Sequence, residues 1–97
     1  MLLGNKIRTL RDEQGILQRQ VAAYLEIDTP MFSKIERGDR RAKRSQVILL
    51  AKYFHIDEEE VLTLWLADKV LDVLEGEEEL CLDAIEVAKN ELKGKNI

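Results

Sequence analysis

The sequence predicts an all-α protein of six helices, and three observations lead there. Apolar residues recur at three- and four-residue spacing along the 97-residue chain, the period of helices with one buried side. A single proline and five glycines leave little room for β-hairpins or disorder. Gly15, Gly38 and Gly76 each follow an apolar-periodic run, where glycine takes a left-handed helix cap cheaply. This length supports one domain with a modest core. No run of 18 apolar residues and no charged-then-apolar leader occurs, so neither a membrane span nor a signal peptide is expected. The one cysteine, Cys81, cannot form an internal disulfide, which fits a reducing, cytoplasmic setting.

The first helix runs from Leu3 to Gln14, with Ile7, Leu10 and Leu3 as inward candidates and Lys6, Arg8 and Arg11 forming a basic side. Gly15 stops it, and Ile16-Leu17 seals the corner. From Gln18 to Gly38 the chain reads QRQVAAYLEIDTPMFSKIERG, two short helices joined by a tight turn. Val21, Ala22 and Leu25 face inward on the first of these. Glu26-Ile27-Asp28 breaks the pattern, with Ile27 as the plug of the corner. Asp28 or Thr29 can cap the second helix, and Pro30 fits its first turn, where a missing N–H costs least. Phe32, Ile35 and Glu36 lie on its inward side and Gly38 ends it. Small Ala22 lets the two helices cross closely. Helices joined by such a corner form the helix-turn-helix, which sets its second helix into the DNA major groove.

The matching pieces IRTLRDEQG, LQRQVA, FSKIERG and LLAKYFHIDEEEVL, in this order and spacing, resemble the Xre, or phage-repressor-like, helix-turn-helix family of bacterial regulators. Together they span roughly residues 4–64, about two thirds of the chain. The resemblance implies a five-helix DNA-binding domain. It implies that Arg11 pairs with Glu36, tying the first helix to the third and turning the arginine towards phosphate. It also implies that Gln18 bonds a backbone phosphate from the start of the second helix, where free N–H groups favour anions and Arg19 adds charge. One departure stands out: the family has glycine at the turn position held by Glu26. A left-handed non-glycine residue there costs on the order of 1 kcal/mol, so a slightly remodelled turn is expected.

On the recognition helix the outward positions are Thr29, Pro30, Ser33, Lys34 and Arg37, while Met31 lies at the boundary. Thr29, Pro30, Ser33 and Lys34 are the base-reading candidates: a hydroxyl or methyl, an apolar contact for a thymine methyl, a second hydroxyl, and a donor to guanine O6 or N7. So sparse a reading head leaves room for DNA shape in specificity. After Gly38 the run DRRAKR places Arg40, Arg41, Lys43 and Arg44 within five positions. With Arg11, Gln18, Arg19 and Arg37, the residues Arg40, Arg41 and Lys43 are the phosphate-binding candidates, which position without specifying.

Ser45 starts the fourth helix, with Val47, Ile48, Leu50, Ala51 and Phe54 in the core and Tyr53 either core or surface. His55 has no second histidine or cysteine at ligand spacing and reads as a surface residue, so no metal or cofactor is expected. Asp57 can cap a fifth helix over Glu58–Glu75. Its apolar stripe is too wide for one buried face. Val61, Leu64 and Trp65 can cover the core, which leaves Leu62, Leu66, Val70 and Val73 for a dimer interface. A sixth helix, opening at Glu77-Glu78-Glu79, turns Leu80, Ala84, Ile85, Val87, Ala88 and Leu92 inward, folded back or exchanged with a second subunit. Cys81 reads as a small packed hydrophobe, and the tail from Lys93 to Ile97 as frayed. The chain thus divides into a helix-turn-helix domain over 1–56, its core reaching about residue 66, and a helical dimerisation extension over 57–97.

The net charge of −4 is unevenly spread. Met1–Arg44 holds ten Lys/Arg against six Asp/Glu (+4), and Ser45–Ile97 five against thirteen (−8). A basic DNA face on an acidic body produces this pattern. Catalytic triads, P-loops and dinucleotide glycine motifs are absent, so an enzyme is not expected. The function that follows is a sequence-specific regulator of transcription: a homodimeric repressor, of its own gene or as a restriction–modification controller. It would read a near-palindromic operator on double-stranded DNA, without a small-molecule effector or a membrane. The alternative is a DNA-binding antitoxin whose C-terminal helices bind a toxin protein.

Overall fold

The computed structural model describes residues 1–95. Among them the chain forms six α-helices: α1 Leu2–Gln14, α2 Gln18–Leu25, α3 Thr29–Arg37, α4 Arg44–Phe54, α5 Glu58–Leu74 and α6 Cys81–Gly94. The first five close around one core. Phe32, Val21, Val47, Leu50 and Val61 are fully buried at its centre, so α2, α3, α4 and α5 each contribute a side chain there. Leu3 and Ile7 bring α1 onto the same cluster, with Leu10, Ile16 and Ile27 half-buried at its margin. Leu17 is exposed, so Ile16 alone seals the corner after α1.

Local chemistry sets the ends of the motif helices. Asp28 is the N-cap of α3, its Oδ1 accepting from the Met31 N–H at 2.7 Å, with Pro30 in the first turn. Gln20 and Gln46 accept from the backbone N–H groups of Leu17 and Lys43, each at 2.8 Å, closing the first turns of α2 and α4. The turn between α2 and α3 is not remodelled. Glu26 takes the left-handed conformation itself, φ 59° and ψ 40°, and its neighbour Ile27 donates to the Ala22 carbonyl at 3.0 Å. A glutamate thus holds a backbone position that glycine occupies more cheaply.

Two contacts fix α1 where periodicity could not. Gly4 lies against the backbone of α3, where an added Cβ would overlap the Glu36 carbonyl oxygen. The Asp68 carboxylate of α5 accepts from the N–H groups of Leu2 and Leu3, at 2.8 and 3.0 Å, capping α1 from another helix. Trp65, also on α5, donates from Nε1 to the Ala42 carbonyl at 2.7 Å and pins the loop between α3 and α4. Lys69 covers the outer face of that indole, 3.6 Å from the ring centroid.

The C-terminal third departs from the sequence reading in four ways. Leu62 is buried in the core beside Val61 and Trp65, so it is unavailable as a contact for a second subunit; Leu66, Val70, Leu71 and Val73 are the exposed apolar residues of α5. The α6 helix starts at Cys81, after a turn over Glu77–Leu80, and continues through Lys93 to Gly94, so these two residues of the tail read as frayed are helical. Lys95 is the C-cap of α6, and the remainder of the expected frayed tail, Asn96 and Ile97, lies outside the described residues.

No side chain of α6 is buried. Leu80, Ala84, Ile85, Val87, Ala88 and Leu92, read as inward, are all exposed, because α6 stands away from the five-helix body. The Cα radius of gyration, 15.4 Å, exceeds the roughly 12.5 Å of a compact chain this long. No helix among the described residues is long and apolar enough to cross a membrane.

Candidate nucleic-acid interface

The residues of α3 divide by helical geometry into a buried side and an open one. Phe32, Ile35 and Glu36 are buried. Thr29, Ser33 and Arg37 succeed one another at i, i+4 and i+8 to form one row, and Pro30 and Lys34 form the adjacent row. Pro30, Lys34 and Arg37 are exposed, while Thr29 and Ser33 are half-buried. These outward residues do not stand alone. Arg37 donates from Nη1 to the Ser33 hydroxyl at 2.9 Å, and its Nε reaches Asp39 at 3.0 Å. Among the described residues no carboxylate comes within ion-pair distance of Lys34. Met31 is half-buried and packs against the core.

What keeps α3 in place is a polar knot behind it. Arg11 donates from Nε and Nη2 to the Glu36 carboxylate at 3.0 and 2.9 Å, and from Nη1 to the Ile16 carbonyl at 3.0 Å. Gln18 adds a fourth bond, Nε2 to Glu36 Oε1 at 3.1 Å. One buried carboxylate therefore ties together α1, the start of α2 and α3. The side chains are only 14% exposed for Arg11 and 5% for Glu36, so solvent screens the pair weakly. The hydrogen bond to Glu36 raises the Arg11 pKa, burial works against this, and the charges of Glu36 and Asp12 add to it. The guanidinium is charged at any ordinary pH. With all three of its nitrogens engaged inside the chain, Arg11 orients the helix first and has only its remaining N–H groups to offer a phosphate.

The basic residues flank the open side of α3 at two edges. At one, Gln18 and exposed Arg19 open α2 beside Glu36. At the other, the loop after Gly38 turns back along the helix, Asp39 and Arg40 both donating to the Lys34 carbonyl at 2.8 and 3.2 Å. Arg40, Lys43 and Arg44 are exposed there, and Arg40 and Lys43 line a groove with Met31 and Ile35. Arg41 is exposed and lines the same groove, while its guanidinium pairs with Asp72 on α5.

Three residues that shape this interface carry no motif. Asp68 and Asp72 bind α1 and Arg41, and Gly4 admits the α3 backbone. A signal for the aspartates does exist. Positions 61, 65, 68 and 72 share one row of α5, so an acid in the row of Val61 and Trp65 faces the body of the protein and needs partners there.

Residues 2–64 match the model of a family described as a helix-turn-helix domain. Searches of curated proteins and of solved structures find no significant match. The matched segment runs from the start of α1 into α5 and contains the corner, the exposed rows of α3 and the basic loop. The family match thus coincides with the part of the molecule that presents a helix for docking, and the chain belongs to the helix-turn-helix domain family, an all-α class that binds DNA.

Proposed function

We propose that this protein is a sequence-specific transcriptional regulator of the Xre type, a cytoplasmic homodimeric repressor that reads a near-palindromic operator through the major groove. The observation that carries this reading is the open side of α3. Two rows of small polar, apolar and basic side chains face outward there, while Glu36, Phe32 and Ile35 hold the opposite side rigidly. In this reading Thr29, Pro30, Ser33 and Lys34 meet base edges. Arg19, Arg37, Arg40, Arg41 and Lys43 meet phosphates, with Gln18 and Arg11 supporting them from the polar knot. One helix reads only a few base pairs, so a two-fold dimer with its recognition helices about 34 Å apart supplies the second half-site. Its own gene and restriction–modification operons are the targets favoured, with no small-molecule effector.

The test is fluorescence anisotropy of the full chain on its own upstream DNA and on scrambled duplex, across a salt series. Tight binding to the upstream DNA, with weak and steeply salt-dependent binding to the scramble, supports the reading. Equal weak binding to both argues against an operator at its own gene.

The second reading is a DNA-binding antitoxin, favoured by the exposed apolar residues of α5 and α6 on an acidic C-terminal half. A monomeric full chain that binds duplex DNA and forms a stable complex with the product of an adjacent toxin-like gene would establish that reading in its place.

A further inference from the structure

The basic loop after α3 holds one cation that differs from its neighbours. Among the described residues Arg40, Lys43 and Arg44 have no carboxylate within ion-pair distance, whereas Arg41 is paired with Asp72 of α5. Arg41 sits between two surfaces. It lines the groove beside α3 with Arg40 and Lys43, and also a cleft towards α5 with Trp65, Asp68 and Asp72. Its backbone is held on both sides: the Arg40 N–H donates to the Lys34 carbonyl at 3.2 Å, and the Ala42 carbonyl accepts from Trp65 Nε1 at 2.7 Å. The long side chain is the part left to move. Asp68, the other acid of the cleft, is committed to the N–H groups of Leu2 and Leu3. The side chains of Arg41 and Asp72 are 41% and 47% exposed, so water screens their pair and makes it readily exchanged.

We propose that Asp72 competes with DNA phosphate for Arg41 and thereby acts as a specificity-determining residue of the interface. A carboxylate and a phosphate accept from a guanidinium in the same way, so Asp72 occupies the donor that a phosphate uses. The competition is unequal on different DNA. The fold keeps Asp72 beside Arg41 on every duplex, whereas a phosphate stays beside the loop only while α3 is seated in its groove. On non-specific duplex, along which the protein slides, Arg41 stays on Asp72 and adds no phosphate contact. On an operator the seated helix brings a phosphate to the loop, and Arg41 exchanges onto it. One loop cation is thus withheld from sequence-independent binding, the part that the basic run otherwise strengthens most. Asp72 lies beyond residues 2–64, the segment that matches the family, so this control is added from outside the helix-turn-helix. The inference rests on the DNA-binding reading above and names a residue that sharpens it.

The experiment is fluorescence anisotropy of the full chain across a salt series, on its own upstream DNA and on scrambled duplex. The proteins are wild type, Asp72→Asn, Arg41→Gln, the double variant and Glu75→Gln, which removes one charge a turn further along the chain. On scramble, Asp72→Asn binds roughly three- to tenfold tighter in low salt, with a salt slope steeper by about one, because Arg41 is released. Arg41→Gln leaves the slope on scramble unchanged but lowers it by about one on the upstream DNA. In the Arg41→Gln background the Asp72 substitution changes neither. Unchanged scramble binding by Asp72→Asn, a gain that persists without Arg41, or an equal gain from Glu75→Gln overturns the proposal. The two readings fail separately. A wild type with no preference for the upstream DNA counts against an operator at its own gene, and the scramble series still decides the role of Asp72. Failure of both wild type and Asp72→Asn to bind any duplex overturns the DNA reading, and this inference with it.

Discussion

At the scale of single residues, two backbone positions govern the motif. Glu26 sits at φ 59°, where its Cβ crowds the following carbonyl. Glu26→Gly removes that strain while adding freedom to the unfolded chain, and the balance predicts a gain of about 0.5–1 kcal/mol, read from urea unfolding midpoints. Gly4 makes the opposite prediction. In an isolated helix Gly4→Ala would stabilise by about 1 kcal/mol. Here the new methyl meets the carbonyl of Glu36, and α1 must shift off α3. A net loss of about 1–3 kcal/mol is expected, visible as a lower thermal midpoint. The turn at residue 26 was legible from its place between two periodic runs. The role of Gly4 was not, because a glycine inside a helical run signals close approach only once the neighbouring helix is known.

At the scale of elements, the polar knot of Arg11, Gln18 and Glu36 converts three helices into one rigid support. Arg11→Met leaves the Glu36 carboxylate buried with Gln18 as its remaining partner, and a loss of about 3 kcal/mol is expected. Adding Glu36→Met removes the orphaned charge, so the double variant should regain much of that loss, and a double-mutant cycle by denaturant unfolding measures the coupling. A result in which the two losses simply add would mean the pair is not coupled in solution.

The caps follow the same logic at longer range. Asp68 reaches α1 across more than sixty residues of sequence. Asp68→Ala therefore frees two N–H groups of another helix and should cost about 1–2 kcal/mol, with the amides of Leu2 and Leu3 losing protection in hydrogen exchange.

At the scale of the whole molecule, the division of labour around α3 is testable on DNA. Lys34→Ala removes an exposed side chain from the outward rows, and discrimination at particular base positions should relax by about 1–3 kcal/mol. Arg40→Ala removes a charge from the flanking loop, so binding should weaken similarly on every duplex and the salt slope should fall by about one. Competition anisotropy over a set of single-base operator variants separates the two effects. If both variants behave alike, the assignment of reading and clamping roles is wrong. Arg41 is less suited to this test because its pairing with Asp72 ties it to α5, and its removal alters the loop as well as the charge.

The sequence alone determined the all-α class, the ends of most helices and the identity of the helix that faces outward. These are local properties: a 3.6-residue period, a capping aspartate and a terminating glycine each act within a few residues. It also separated the basic half from the acidic half, since charge is counted without knowing distances. Only the tertiary structure decided that Leu62 is core while Leu66, Val70 and Val73 are not, because an apolar helix face chooses its burial by what packs against it. The structure likewise decided that Arg41 turns to Asp72, that Asp68 caps α1, and that α6 stands apart with its apolar residues exposed. Each of these depends on residues far apart in the chain, and their meeting is set by the packing of the core and by no pattern along the sequence.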